Sequence, residues 1–272
     1  MFTRKINYLF LYALIILFVV VATPQQHVDI ILSAFYSAIV CVAIYIFGWL
    51  TLDGTKSAWI VGWVVFGFGG LALALLLLLF FLSSSLISKD LPGDANGIRE
   101  SRRDARQVWA NGFWLALFSM IAFGLGQAMW LLAGIASVAV ATADTWATEI
   151  GGHRVKGKTY LVSNLKPTEP GTDGGISISG SLAGFLGSLL IAAGSWFLIP
   201  DAAIPTLIAI AVAGFVGSLA DSVLGALVQG TYIELPLPLK TLFSCNIDND
   251  FVNWASTGIG SLLFLIFSLT GL

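Results

Sequence analysis

Asp144 and Glu149 stand five residues apart at the end of a stretch in which every residue from Asn111 to Ala143 is uncharged. On a helix, Asp144 and Thr148 share a face at i,i+4, with Thr145 and Glu149 on the next ridge. Two carboxylates and two hydroxyls around one helix end suit a hydrated Mg²⁺ shared with substrate phosphates, because magnesium prefers oxygen ligands and keeps several waters. Polar decoration of a bilayer surface is the plainer reading, yet carboxylates in or near hydrocarbon are costly and mark functional interiors. Asp221 is a sharper signal, since it lies inside the apolar run GFVGSLADSVLGALVQG, eight residues before Gln229, or about 12 Å along a helix. Water or a partner has to reach it. Asp250 and Asn253 lie three apart in CNIDNDFVNWAS, so they enter the last apolar run together and can extend a metal or phosphate site. One residue among Asp248, Asn249, Asp250 and Asn253 is also expected to serve as a helix cap.

Positive charge stands apart from these carboxylates. Arg99, Arg102, Arg103 and Arg106 recur at intervals of three and four within KDLPGDANGIRESRRDARQVWANG. That spacing predicts a helical ridge of fork-shaped donors suited to oxyanions, running into Gln107 and Asn111 at the membrane surface. The alternative is a solvated juxtamembrane stretch that sets topology and touches anionic headgroups. In PGTDGGISISGSLAG, Gly171, Gly174 and Gly175 surround Asp173 ahead of a helix expected to begin near Ile176. Free amides over Thr172, Asp173, Gly174 and Gly175 would then form an anion site. Gly180, Gly184 and Gly187 equally suit close helix packing. No Gly-Lys-Ser/Thr ends the turn, so it is not a Walker loop.

The elements that position these residues are membrane helices. Of 272 residues, 57% are hydrophobic and only 10% charged, far from the roughly 25% charge of a soluble domain. Apolar runs at about 6–22, 30–50, 59–84, 111–126, 128–146, 176–199, 203–229 and 254–271 predict an all-α polytopic bundle of seven to eight spanning helices. The first run reads as a retained helix, because no small-x-small cleavage site follows it before Thr23-Pro24. No long polar linker divides the chain, although 1–88 can be read as peripheral helices attached to a working bundle at 89–272. The net charge of −2 gives no reason to expect a nucleic-acid partner. Cys41 and Cys245 make neither a disulfide framework nor a metal cluster.

Of 13 Lys and Arg, five lie in 89–106 and four in 153–166, which places both loops on the cytoplasmic side. Two helices between these loops, and two more over 176–229, gather the polar segments on that face. Three helices before Lys89 would put Arg4 and Lys5 on the opposite side. The sequence leaves three resolutions open: an interfacial first helix, two short segments within 59–88, or a terminal signal that is overridden.

Taken in order, GIRESRRDARQVWANG, ATADTWATEIG, PGTDGGISISGSLAG, GFVGSLADSVLGALVQG and DNDFVNWAS resemble the integral membrane family that includes plant phytyl-phosphate kinase and animal transmembrane protein nineteen. The likeness covers most of 89–271. It implies phosphorylation of an isoprenoid lipid monophosphate to the diphosphate, with Mg²⁺ and with CTP as donor. It also implies active-site roles for Arg106, Gln107 and Asn111, for Asp144 and Glu149, for the Thr172–Gly175 turn, for Asp221, and for Asp250 with Asn253. Family members carry a cysteine- and histidine-containing insertion before the last acidic motif, where this chain has a short loop with Cys245.

The function expected is therefore Mg²⁺-assisted transfer of a nucleotide γ-phosphoryl group to a lipid monophosphate. Asp144, Asp221 and Arg106 are the expected catalytic residues. Metal would be held by Asp144, Glu149, Asp221 and Asp250, and phosphates by Arg99, Arg102, Arg103, Gln107, Asn111, Asn253 and the 172–175 turn. Rival readings are a transporter or flippase of phosphorylated lipids, a cytidylyltransferase forming a CDP-lipid, and an assembly scaffold. The expected setting is the plasma membrane of a prokaryote, with the active face cytoplasmic and with membrane lipids as neighbours.

Overall fold

A computed structural model describes residues 2–88, 102–155, 157–199, 203–233 and 245–270. Eight helices are long and apolar enough to cross a membrane: α1 (Phe2–Val20), α2 (Pro24–Ile46), α3 (Leu52–Ser88), α4 (Ala105–Leu125), α5 (Met129–Thr148), α6 (Ile178–Leu198), α7 (Ile204–Val228) and α8 (Asn249–Thr270). The chain is an integral, multi-pass membrane protein. A π-helical turn, Glu149–Arg154, continues α5. Five short strands lie outside the bundle: β1 (Thr159–Leu161), β2 (Pro167–Thr168), β3 (Gly175–Ile176), β4 (Tyr232–Ile233) and β5 (Cys245–Asn246). β1 is the centre of an antiparallel sheet with β2 and β3, and β4 pairs with β5.

Helix ends follow local chemistry more closely than hydropathy. Asp104 accepts hydrogen bonds from the amides of Arg106 and Gln107, and the Gln107 side chain closes a capping box, so α4 begins at Ala105 rather than at the first apolar residue. Thr23 and Gln26 close the same motif on α2, with Pro24 in the first turn. The hairpin expected at Gly124–Gly126 forms, with Gly126 at φ +66° ending α4.

α3 has 37 residues, too many for one crossing, and it breaks at Gly70, where φ is 85° and ψ 176°. Only glycine adopts this backbone readily. The first arm starts beside Arg103: the Thr51 amide donates to the Arg103 carbonyl at 3.1 Å. The second arm ends beside the last turn of α5, where the Ser88 hydroxyl donates to Glu149 at 2.9 Å. Between them, the Phe68 ring lies 4.7 Å from that of Phe123, at the far end of α4. Both ends of α3 thus lie on the face that carries the basic loops, and the helix crosses twice. Asn7 accepts from Ser57 and from Trp109, close to the starts of α3 and α4, so the N-terminal end of α1 reaches the same face. Nine passes reconcile Arg4 and Lys5 with the other basic segments.

α5 is the axis of the bundle. Ala133 to Ala143 are buried without a break, and glycines let neighbours approach the backbone closely. A Cβ on Gly217 of α7 would fall 2.3 Å from Val140, one on Gly260 of α8 2.2 Å from Val140, and one on Gly187 of α6 3.0 Å from the Thr142 carbonyl. Such close contact drives helix association in lipid, where burying apolar surface brings little gain. The core is continuous across the chain, since Phe10 of α1 and Ile30 of α2 belong to the same buried cluster as Ile135 and Ile210.

Candidate functional site

Asp144 lies in the last turn of α5 and Asp221 in the second half of α7, and the crossing of these helices brings them together. Their carboxyl groups are within hydrogen-bonding reach of one another. Asp221 is buried, at 8% exposure, and accepts a hydrogen bond from the Ser256 hydroxyl of α8 at 2.8 Å. Both carboxylates line a cavity of about 110 Å³ between α5, α6, α7 and the turn before α6. Its other polar walls include Thr148, Thr172, Ser177, Ser181 and Ser222, and Thr159 adds a hydroxyl that is buried without a hydrogen-bond partner among the described residues. Exposed Thr148, Thr172 and Asp173 connect the cavity to the polar face.

The 172–175 turn reaches this cavity by a different local structure from the one the sequence suggested. α6 starts at Ile178, with the Ser177 hydroxyl accepting from the Gly180 amide as N-cap. Gly175 belongs to β3, and its amide donates to the Thr172 carbonyl at 2.8 Å. The Gly175 amide is therefore engaged within the turn, and the helix N-terminus lies beyond it at Ser177. The extended β1–β3 pairing claims that stretch of backbone first. Gly174 has φ +74° and packs on α7 so closely that a Cβ would fall 2.3 Å from that of Ala226. Thr172, Asp173, Gly174 and Gly175 nevertheless line the cavity, and Asp173 is near enough to act on Asp221 electrostatically.

Glu149 turns away from this cavity. It is buried at 7% exposure, accepts from Ser88, and interacts electrostatically with both Arg103 and Asp144. The Glu149 amide still donates to the Thr145 carbonyl, so Glu149 follows α-helical geometry, and five residues along such a helix turn it to a different face from Asp144. The indole nitrogen of Trp146 is buried without a hydrogen-bond partner among the described residues.

The arginine ridge is divided. Arg99 lies outside the described residues. Arg102 and Arg103 precede α4 in extended backbone, because Arg103 bridges to Leu50 and the Asp104 cap stops the helix behind it. Arg102 is exposed and its guanidinium lies by Gly48. Arg103 points into the bundle, with its guanidinium 5.1 Å from the centres of both Phe80 and Phe81. Burial pushes this group down to about 10, with Glu149 acting in the opposite sense, so it stays cationic at neutral pH. Gln107 and Asn111 follow Arg103 along the same face and line the cavity that Arg103 lines, which is not the cavity of Asp144.

Arg106 faces the other way and ties α4 to the start of α8. It pairs with Asp248, and its Nε lies 3.3 Å from Asp250. Asp248 is the cap anticipated in this segment, accepting from the Phe251 amide at 3.1 Å. Asp250 is thus held by Arg106 and does not line the carboxylate cavity, whereas its neighbour Asn249 does. The Asn253 side-chain carbonyl is buried without a partner among the described residues.

Among the described residues no three His, Cys, Asp or Glu side chains are placed to hold a metal together. Two carboxylates at hydrogen-bonding range among hydroxyls remain a fitting donor set for Mg²⁺, which uses one or two carboxylates and completes its shell from phosphates and water. Two carboxylates this close stay together either by sharing a proton or by holding a cation between them. Asp144 and Asp221 fit such an ion; Glu149 and Asp250 are engaged elsewhere. Residues that sequence reasoning passed over are Ser256, Ser177 and Thr159. Small hydroxyl residues are common in membrane helices as packing elements, so only the distance to Asp221 singles out Ser256.

Comparison with known proteins agrees with this architecture. Residues 35–261 match the family described as Integral membrane protein DUF92. An uncharacterised membrane protein of Methanocaldococcus jannaschii is 32% identical over 222 residues, covering 80% of this chain and 85% of that protein. Protein VTE6, chloroplastic, of Arabidopsis thaliana is 29% identical over 233 residues, 80% of this chain and 65% of its own length. Protein PGR of the same plant is 29% identical over 261 residues, 81% and 89% respectively. No solved structure matches the chain. With the family pattern running from within α2 to within α8, this chain belongs to the integral membrane protein family DUF92.

Proposed function

We propose that this protein is an isoprenoid-phosphate kinase, transferring the γ-phosphoryl group of a nucleotide, CTP by family resemblance, to an isoprenoid lipid monophosphate. The observation that carries the reading is the meeting of Asp144 and Asp221 in a hydroxyl-lined cavity at the polar face. The resemblance to the family that includes plant phytyl-phosphate kinase supports the reaction class. The site would face the cytoplasm of a prokaryotic cell across its plasma membrane, where nucleotide is available.

Asp144 and Asp221 would hold Mg²⁺, which when bound neutralises charge on the transferring phosphoryl group. The cavity is too small for a whole nucleotide, so the base and ribose would lie outside it while the terminal phosphates reach in. Hydroxyls of Thr148, Thr172, Ser177 and Ser181 line the space where those oxygens would be oriented. Ser256 holds Asp221 in place through its hydrogen bond. A phosphate oxygen of the lipid attacks the γ-phosphorus, the bond to the bridging oxygen breaks, and nucleoside diphosphate leaves. The attacking oxygen is already anionic, so no general base is required. Arg106, held by Asp248 and Asp250, would join α4 to α8 at the rim.

The test is purified protein in liposomes with farnesyl, geranylgeranyl or phytyl monophosphate and each of the four nucleoside triphosphates. The expected products are the lipid diphosphate and a nucleoside diphosphate in equal amounts. Pyrophosphate release would identify a cytidylyltransferase instead, and lipid movement without nucleotide a flippase.

A further inference from the structure

A second cavity, of about 470 Å³, lies between α2, the two arms of α3 and the start of α4. It is several times larger than the carboxylate cavity and within the roughly 300–1,000 Å³ of small-molecule sites. Its walls are apolar along most of their length, formed by Val40, Ala58, Val61, Ala74 and Leu78 among others. Tyr36, Val40, Leu71 and Leu75 line it and are also exposed on the outside of the bundle. Their exposure places an opening toward the bilayer, between α2 and the second arm of α3. The polar end is formed by Arg103, just before α4, and by Gln107 and Asn111, four apart in its first turns.

Arg103 differs from the other described arginines of this region. Arg106 is neutralised by Asp248 and Asp250, and Arg102 is exposed. Arg103 is turned inward and rests on Phe80 and Phe81; Glu149 acts on it electrostatically, but no carboxylate lies within 4.0 Å of it among the described residues. A guanidinium drawn out of water needs an anion to stabilise it. An apolar chamber that opens to the lipid and ends on such a cation fits an amphiphile with one chain and one anionic head. The second arm then leads from this chamber toward the carboxylates. It runs from Phe80 through Ser84, whose hydroxyl is buried without a partner among the described residues, to Ser88 on Glu149, one helical turn beyond Asp144.

We propose that this chamber binds the hydrocarbon chain of a single-chain isoprenoid monophosphate, with its phosphate on Arg103, Gln107 and Asn111. The site deepens the kinase reading by giving the acceptor a place of its own, separate from the phosphoryl-donor cavity. Entry is lateral, from the bilayer, so the lipid need never cross water. Arg103 is a positioning residue: it would hold the head group at the polar face until the phosphate moves along the second arm of α3 to meet the donor at Asp144 and Asp221. The two arms of α3 exist as separate walls only because the chain reverses at Gly70.

The test uses a geranylgeranyl monophosphate carrying a diazirine at the chain end, photolysed with the protein in phosphatidylcholine liposomes without nucleotide. Labelling is expected within 36–81, displaced by unlabelled geranylgeranyl monophosphate and not by phosphatidylglycerol. Ala58→Phe and Ala74→Phe fill the chamber from opposite walls, and each should cut labelling about tenfold, as an overpacked site would. Arg103→Gln should weaken competition by the monophosphate while leaving competition by geranylgeraniol unchanged. Thermal unfolding of each variant separates lost binding from lost fold. Labels confined to other helices, equal displacement by phosphatidylglycerol, or full labelling of both folded Phe variants would overturn the proposal. Because no nucleotide is present, a positive result stands even if phosphoryl transfer fails, and a negative one leaves the kinase reading to its own assay.

Discussion

The Ser256 hydroxyl of α8 donates to the Asp221 carboxylate of α7 across 2.8 Å, at the point where Asp221 meets Asp144 of α5. Three helices are thereby joined through one buried carboxylate. Ser256→Ala leaves that oxygen without its donor and should cost about 1–3 kcal/mol of stability, the range for an unsatisfied buried polar group. Thermal unfolding in detergent, compared with the same change at half-exposed Ser179 or Ser83, checks it.

Asp144→Asn and Asp221→Asn should each lower phosphoryl transfer about 10²-fold or more, the size of losing a preorganised electrostatic contact. Both amides keep the shape of the carboxyl, so extraction and unfolding temperature should stay near those of the wild type. Glu149→Gln should be milder, because Glu149 faces Ser88 and Arg103. Steady-state rates alongside unfolding curves distinguish a lost site from a lost fold.

Nine passes make a parity prediction. In a Cys41→Ala, Cys245→Ser background, Lys5→Cys and Lys158→Cys should react with a membrane-impermeant maleimide from one side. Gln25→Cys and Gln127→Cys should react from the other. All four positions are exposed. An α3 that crossed once would put Lys5 and Lys158 on opposite sides, and the labelling pattern would show it.

Val140 of α5 fills the space opposite Gly217 and Gly260. Gly217→Ala should therefore destabilise the bundle, since a Cβ there would stand 2.3 Å from a Val140 methyl. Val140→Ala removes that methyl. The double variant should be more stable than the sum of the single changes by about 0.5–3 kcal/mol, the coupling of residues in direct contact. Additive behaviour would mean that α5 and α7 separate readily at this level.

Hydropathy and charge already determined that the chain is a polytopic helix bundle with its polar segments on one face, because about 20 apolar residues are what a bilayer demands of a helix and basic loops resist translocation. Asp221 was legible as an oddity for the same reason: a carboxylate in hydrocarbon has to be accounted for. Local rules likewise foretold a cap among the residues before α8. Only the tertiary structure decided the rest. The spacing of Arg99 to Arg106 suggested one ridge, but the Asp104 cap and the bridge from Arg103 to Leu50 send Arg103 and Arg106 to different partners. Gly70 was one glycine among 29, and its positive φ, which reverses α3, is a backbone state that composition does not reveal. That Asp144 meets Asp221, and that Glu149 does not line their cavity, depends on how α5 and α7 cross. Side-chain periodicity specifies which face of a helix is apolar; which polar groups then touch is set by close backbone approach at glycines far apart in the chain.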